Sequence, residues 1–291
     1  MRPLASAVGL AVFHLNLLGP AVIAAAAASS TKDPSLFDVD HGFHAADVEY
    51  ENGPSGPDVE VDRDLIGDMP YGIRIESCQN PGEVAITFDD GPYEWTRNIA
   101  EAFDDAGFKA TFFIAGFNAW RKIYDTSTQY PKLVRDIYAA GHQIGSHTWT
   151  HKSLERVGKE KRIRQILDNE KAFNKVLGVI PTYMRPPFGE CYEDCQQDLK
   201  KLGYHLIWWD IDTKDYMYNS EDSYNEAIDR FDEDLDDGGS IALCHDIKYY
   251  TAHKLVPHMI SELKRRELKG VTVGQCLGDP EENWYRPVLN N

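Results

Sequence analysis

Two adjacent carboxylates, Asp89 and Asp90, close the apolar run of Val84, Ala85, Ile86 and Phe88, and Gly91-Pro92 follows at once. Ionised carboxylates at the end of a buried segment need a cation, a metal or hydrogen-bond donors once they leave water. Taken alone, Asp-Asp-Gly also reads as a solvated turn. Further along stand His147 and His151, four residues apart, and then Arg185 before Pro186-Pro187-Phe188-Gly189. Asp215 and Tyr216 follow, and His245 comes directly after Leu243-Cys244. Two imidazoles and one carboxylate make a ligand face that leaves coordination positions open for water and substrate. An isolated His-x-x-x-His is as readily two unrelated surface histidines. The neighbouring pair of acids favours a metal.

These residues matter only if the chain brings them to one place. From Gly82 onward, short apolar runs alternate with helical stretches. The strands are expected at 84–88, 110–115, 143–146, 183–185, 206–211, 240–244 and 271–273. Helices are expected near 95–106, 131–140, 153–177, 192–202, 222–236 and 252–268. In the third of these, Ile163, Ile166, Leu167, Phe173 and Val176 share one face. This alternation predicts a parallel sheet closed as a distorted (β/α)7-type barrel, with an outer ring of helices and a single catalytic domain. In a barrel the C-terminal ends of the strands share one mouth. Asp89-Asp90, His147 to His151, Arg185 to Gly189, Asp210 to Tyr216 and Leu243 to Asp246 all fall at such ends.

Composition narrows the function classes. The 291 residues are 42% hydrophobic, enough for a substantial core, and carry a net charge of −17. That sign disfavours a nucleic-acid partner. Residues 1–28 read as a secretory signal peptide, with Arg2, a largely apolar run and then small residues, so no transmembrane anchor is expected in the mature chain. Residues 29–77 read as an acidic flexible extension, because 12 acids stand against 3 bases between Thr31 and Ser77 with little periodicity. The catalytic domain is expected over 78–277, with a tail at 278–291. All five cysteines follow the leader, which suits an oxidising compartment. Cys191 and Cys195 could close a small loop, and Cys78 and Cys276 could tie the domain's ends, which leaves Cys244 as a buried thiol. This pairing is one of three that four cysteines allow.

Five motifs in order carry a resemblance: Thr87-Phe88-Asp89-Asp90; His147-Thr148-Trp149-Thr150-His151; Arg185-Pro186-Pro187-Phe188-Gly189; Asp212-Thr213-Lys214-Asp215-Tyr216; and Leu243-Cys244-His245. The set resembles the polysaccharide deacetylases of carbohydrate esterase family 4, the NodB-like domain, and most of all the fungal chitin deacetylases. The resemblance implies that Asp90, His147 and His151 hold a divalent metal, usually Zn2+, with Co2+ or another first-row ion able to serve. Asp89 is implied as the general base and His245 as the general acid. Arg185 and Asp215 are implied to steady the base and to orient the acid, and the Phe188 backbone N–H to bind the oxyanion. Pro186 and Pro187 have no N–H to offer, so Phe188 is the first donor in that turn. Leu243 reads as lining the acetyl pocket, as core, or as both; Tyr216 keeps an aromatic wall for a sugar ring, and Trp149 could add a stacking surface or serve equally in packing. The fourth motif of the family usually ends in Trp, where Tyr216 stands here. This departure bears on substrate preference more than on chemistry.

The function expected on these grounds is a secreted or cell-wall, metal-dependent hydrolase that removes N-acetyl groups from chitin or chito-oligosaccharides. An O-acetyl xylan esterase of the same fold is the nearest rival, and a wall protein with a vestigial site is the rival from another class. A phosphoesterase is disfavoured, since no phosphate-cradling glycine-rich loop or Lys/Arg cluster accompanies the acids.

Overall fold

A computed structural model describes residues 63–118 and 121–287. The expected signal peptide and most of the expected acidic extension lie outside the described residues. The elements in chain order are β1 (Arg74–Ile75), β2 (Glu83–Asp89), α1 (Thr96–Ala106), β3 (Thr111–Ile114), β4 (Phe117–Asn118), β5 (Arg121–Lys122), α2 (Tyr130–Ala139), β6 (Gln143–Ser146), α3 (Lys159–Leu177), β7 (Val179–Pro181) and β8 (Tyr183–Met184). Then come α4 (Glu193–Lys201), β9 (His205–Ile207), β10 (Ile211–Asp212), α5 (Tyr224–Asp236), β11 (Ile241–His245), α6 (Val256–Arg265), β12 (Lys269–Val271), α7 (Val273–Cys276) and β13 (Tyr285–Pro287).

Nine strands form one parallel sheet in the order β1-β9-β8-β6-β3-β2-β11-β10, with β12 beside the first half of β2. The expected barrel is what this sheet forms, curled with helices packed around it. The expected strand over 206–211 is two strands, β9 and β10, near opposite ends of the sheet. Only residues 208–210 link them, a span of about 13 Å at full stretch, so the chain itself draws the two edges together. Trp208 N–H donates to Ile75 O on one side of this seam and Asp210 N–H to Ile241 O on the other.

Alternation along β2 decides what enters the barrel. Val84, Ile86 and Phe88 join the cluster formed with Ile99 and Phe103 of α1, where the Phe88 and Phe103 rings meet edge-on. Ala85 belongs to a second cluster with Phe113, Tyr183, Ile207 and Ile241. Thr87 and Asp89 share the parity of Ala85. On β11, Ala242 and Cys244 join the helix-side cluster and Ile241 the second one, so Leu243 and His245 take the inner parity. The period of two therefore sends Cys244 into the core as a buried free thiol while its neighbours serve the mouth.

The structure corrects both expected domain boundaries. Residues 63–77 belong to the folded body: Arg63 pairs with both oxygens of Glu170, and β1 pairs in parallel with β9. Tyr71 is buried, its ring 4.0 Å from that of His205. These contacts join residues far apart in sequence, where local composition gives no signal. At the other end, Trp284 and Arg286 are buried and β13 pairs with β7, so residues 278–287 are structure too. Disulfides join Cys78 to Cys276 and Cys191 to Cys195. Among the described residues, no helix is long and apolar enough to cross a membrane.

Candidate metal centre and acid–base pair

At the end of β2 the inner parity places Asp89, and Asp90 follows with φ at 75°. Thr148 (69°), His151 (54°) and Phe188 (61°) also occupy the left-handed region, which bulky residues enter only where the surroundings hold them. This concentration of unfavourable backbone marks the loops after β2, β6 and β8. Gly91 is close-fitted in the same turn: a Cβ there would come within 2.1 Å of the Asp246 carboxylate.

These loops bring one donor atom each from Asp90, His147 and His151 within 4.8 Å of one another. Asp90 Oδ1 lies 3.4 Å from His147 Nε2 and 3.2 Å from His151 Nε2. Four ligands about 2.0–2.1 Å from a tetrahedral ion are spaced about 3.3–3.4 Å apart, so the set fits a cation of zinc's size. The His147 Nδ1–H donates to Arg185 O at 2.7 Å, which leaves the Nε2 lone pair directed at the shared centre. Burial pushes His151 down to about 4 despite the Asp90 charge, keeping it neutral. Asp90 is held well below the carboxylate range: burial would raise it, but His151 and His147 outweigh that. Burial also works against protonated His147, and the Asp89 and Asp90 carboxylates more than offset it, so its pKa is raised.

Asp89 stands beside this set. Its Oδ2 is 3.9 Å from His147 Nε2, and its Oδ1 accepts from Arg185 Nη1 at 2.9 Å. Arg185 is fully buried and four of its five N–H donors are engaged: Nη1 also reaches Thr87 Oγ1, Nη2 donates to Trp208 O at 2.8 Å and Nε to Ile207 O at 3.2 Å. Its guanidinium also lies over the Phe113 ring, at 4.5 Å, and the Trp209 ring, at 5.4 Å. A charge so placed cannot move, and it fixes the carboxylate it meets.

On β11, in register with Asp89, His245 Nδ1 and Asp215 Oδ1 are 2.7 Å apart, and the His245 backbone N–H donates to Asp215 Oδ2. Burial lowers the imidazole's proton affinity, but the Asp215 charge and hydrogen bond overcome it and push His245 up to about 9. With Nδ1 engaged, Nε2 is the nitrogen left to move a proton. The Tyr216 ring stands edge-on to His245 at 5.5 Å and is 39% exposed. Phe188, 64% exposed, stands edge-on to His151 at 4.7 Å. The two aromatics flank the site. Leu243 is buried two residues before His245.

Of the two parts open to Trp149, packing is the one its contacts show. Its ring stacks with Tyr124, tilts against Phe117 and packs on the helix-side core. That placement supports the His147–His151 loop from behind. Sequence reasoning missed Thr87, which donates to Ala242 O while accepting from Arg185, and Thr251, which donates to Asp215 Oδ2. Thr87 opens the first motif and could have been flagged there, whereas Thr251 lies in no motif.

Residues 76–207 match the family model for polysaccharide deacetylase. A chitin deacetylase of Pestalotiopsis sp is 41% identical over 218 residues, covering 75% of this chain and 71% of that protein. One from Arthroderma benhamiae is 36% identical over 223 residues, and the match covers 76% of this chain but 59% of that longer protein. The solved structure of the chitin deacetylase from Colletotrichum lindemuthianum superposes with a TM-score of 0.73 at 37% identity, covering 77% of this chain and 99% of that one. A curled parallel sheet with an Asp-His-His set at its mouth is thus the frame of a hydrolase family acting on acylated sugars. The chain belongs to the polysaccharide deacetylase family.

Proposed function

We propose that the protein is a metal-dependent deacetylase that removes N-acetyl groups from N-acetylglucosamine units of chitin or chito-oligosaccharides, releasing acetate. One observation carries the reading: the Asp90–His147–His151 set stands at the same strand ends as an arginine-held carboxylate and a carboxylate-held histidine, which are in register across β2 and β11. A divalent cation, zinc or another first-row ion, when held by those three residues, supplies an acidified water and polarises the acetyl carbonyl. Asp89, steadied by Arg185, takes the proton of the attacking water. The Phe188 N–H donates to the developing oxyanion. His245, kept protonated by Asp215, gives its Nε2 proton to the departing amine, which leaves poorly without one.

The exposed Phe188 and Tyr216 rings offer two walls for sugar faces, with Leu243 beneath to meet the acetyl methyl. The names of the relatives support chitin as the substrate class, and the two disulfides support an extracellular setting. The test is acetate release from chito-oligosaccharides and from acetylated xylan, with and without chelator, for the wild type and Asp89→Asn. Chelator-sensitive release from the chito-oligosaccharide, lost in Asp89→Asn, is expected. Release from xylan alone would make the protein an O-acetyl esterase, and chelator-insensitive release would sink the metal mechanism.

A further inference from the structure

We propose that Thr251 is a positioning residue for His245, acting through Asp215, and that a single π turn after β11 delivers it. The proposal rests on His245 being the proton donor.

Asp215 is buried and its carboxylate meets three donors: His245 Nδ1 on Oδ1, and the His245 backbone N–H and Thr251 Oγ1 on Oδ2, each at 2.7 Å. Two of these belong to His245 itself. Thr251 is the donor from a different element, and so the one that fixes the carboxylate independently of the imidazole it orients. A carboxylate only accepts, so the single threonine hydroxyl proton must point at Oδ2. Thr251 is 2% exposed, a setting where valine would pack as well and where only the hydroxyl gives threonine a reason.

The backbone explains how the hydroxyl arrives there. Residues Thr251–Leu255 form one π turn, closed by Val256 N–H donating to Thr251 O, and α6 continues directly from it. Pro257, in the first turn of α6, has no N–H for the carbonyl of His253, and its ring crowds that carbonyl. Widening the preceding turn relieves the clash and rotates Thr251 relative to a regular helix. Leu255 and Val256, both buried in the helix-side core, anchor the turn.

The test compares Thr251→Val, which keeps shape and loses the hydroxyl, with Thr251→Ser, which keeps the hydroxyl. Two readouts are taken on the metal-loaded protein: steady-state kinetics on an acetylated chito-oligosaccharide, and the low-field proton NMR resonance of the Nδ1–H held by Asp215, assigned by its loss in His245→Gln. Losing a hydrogen bond to a buried charge should lower kcat about tenfold in Thr251→Val. KM and metal content should be unchanged, the resonance should shift or broaden, and Thr251→Ser should restore both. Wild-type kcat and resonance in Thr251→Val would overturn the proposal, as would equal impairment in Thr251→Ser or a parallel loss of metal. Full turnover by His245→Gln would instead overturn the acid reading beneath it, and the resonance would then decide the positioning alone.

Discussion

Replacing Asp215 by Asn addresses the acid most directly, because the Asp215 carboxylate accepts from His245 and Thr251. In the wild type, burial pulls the imidazole down and the Asp215 charge and hydrogen bond carry it to about 9, against an ordinary 6.5. Without that charge only the weaker pull of Asp90 and Asp89 stands against burial, and the pKa falls from about 9 toward the ordinary 6.5. The sign follows: the acid works while protonated, so activity is lost as pH rises through the pKa, and the variant loses it earlier. At pH 8 a full return to 6.5 would cut the protonated fraction from about nine-tenths to about one-thirtieth, so about 30-fold is the upper bound on the loss in rate. At pH 6 both forms are mostly protonated and the loss shrinks to less than about twofold. A bound cation moves both alkaline limbs down together, so the separation between them is the quantity tested. The assay is acetate release from a chito-oligosaccharide across pH 5.5–9.5, with metal content measured in parallel. An alkaline limb in Asp215→Asn that coincides with the wild type would refute the assignment of His245 as an acid raised by Asp215.

Two other outcomes follow from the same geometry. Arg185→Met leaves Asp89 buried without its charge partner, and breaking such a pair costs about 3–5 kcal/mol, so a denaturant midpoint close to wild type would contradict the role given to that contact. Removing Cys78–Cys276 as the double serine variant frees a loop with a sequence separation of 198, for a loss of about 3–5 kcal/mol in unfolding free energy, while kcat measured well below the melting temperature should hold because the bond lies away from the mouth.

The site was more legible in the sequence than the edges of the fold. Asp89, His147, Arg185, Asp215 and His245 could be read because each falls at or shortly beyond the end of a candidate strand, and a parallel barrel puts such ends together. The alternation in β2 and β11 separates inner Asp89 and His245 from core-bound Phe88 and Cys244. The packing of residues 63–77 was hidden because it depends on partners such as Glu170, 107 positions from Arg63, in a stretch whose composition reads as solvated. The split into β9 and β10 was hidden because Trp208 and Trp209 continue the apolar run across the seam. The left-handed backbone at Asp90, His151 and Phe188 was hidden for another reason, since no glycine announces it. Trp149 shows the converse case, a motif aromatic with the look of a sugar platform whose ring is used for packing.

The central claim is that Asp90, His147 and His151 form one divalent-metal site on which deacetylation depends. Its most direct test titrates metal-stripped protein with Zn2+ while following bound metal and acetate release from a chito-oligosaccharide together. Both should rise in step to about one equivalent per chain in the wild type, and His147→Ala should take up neither metal nor activity at the same concentrations. Acetate release by the stripped protein, or full metal uptake by His147→Ala, would contradict the account.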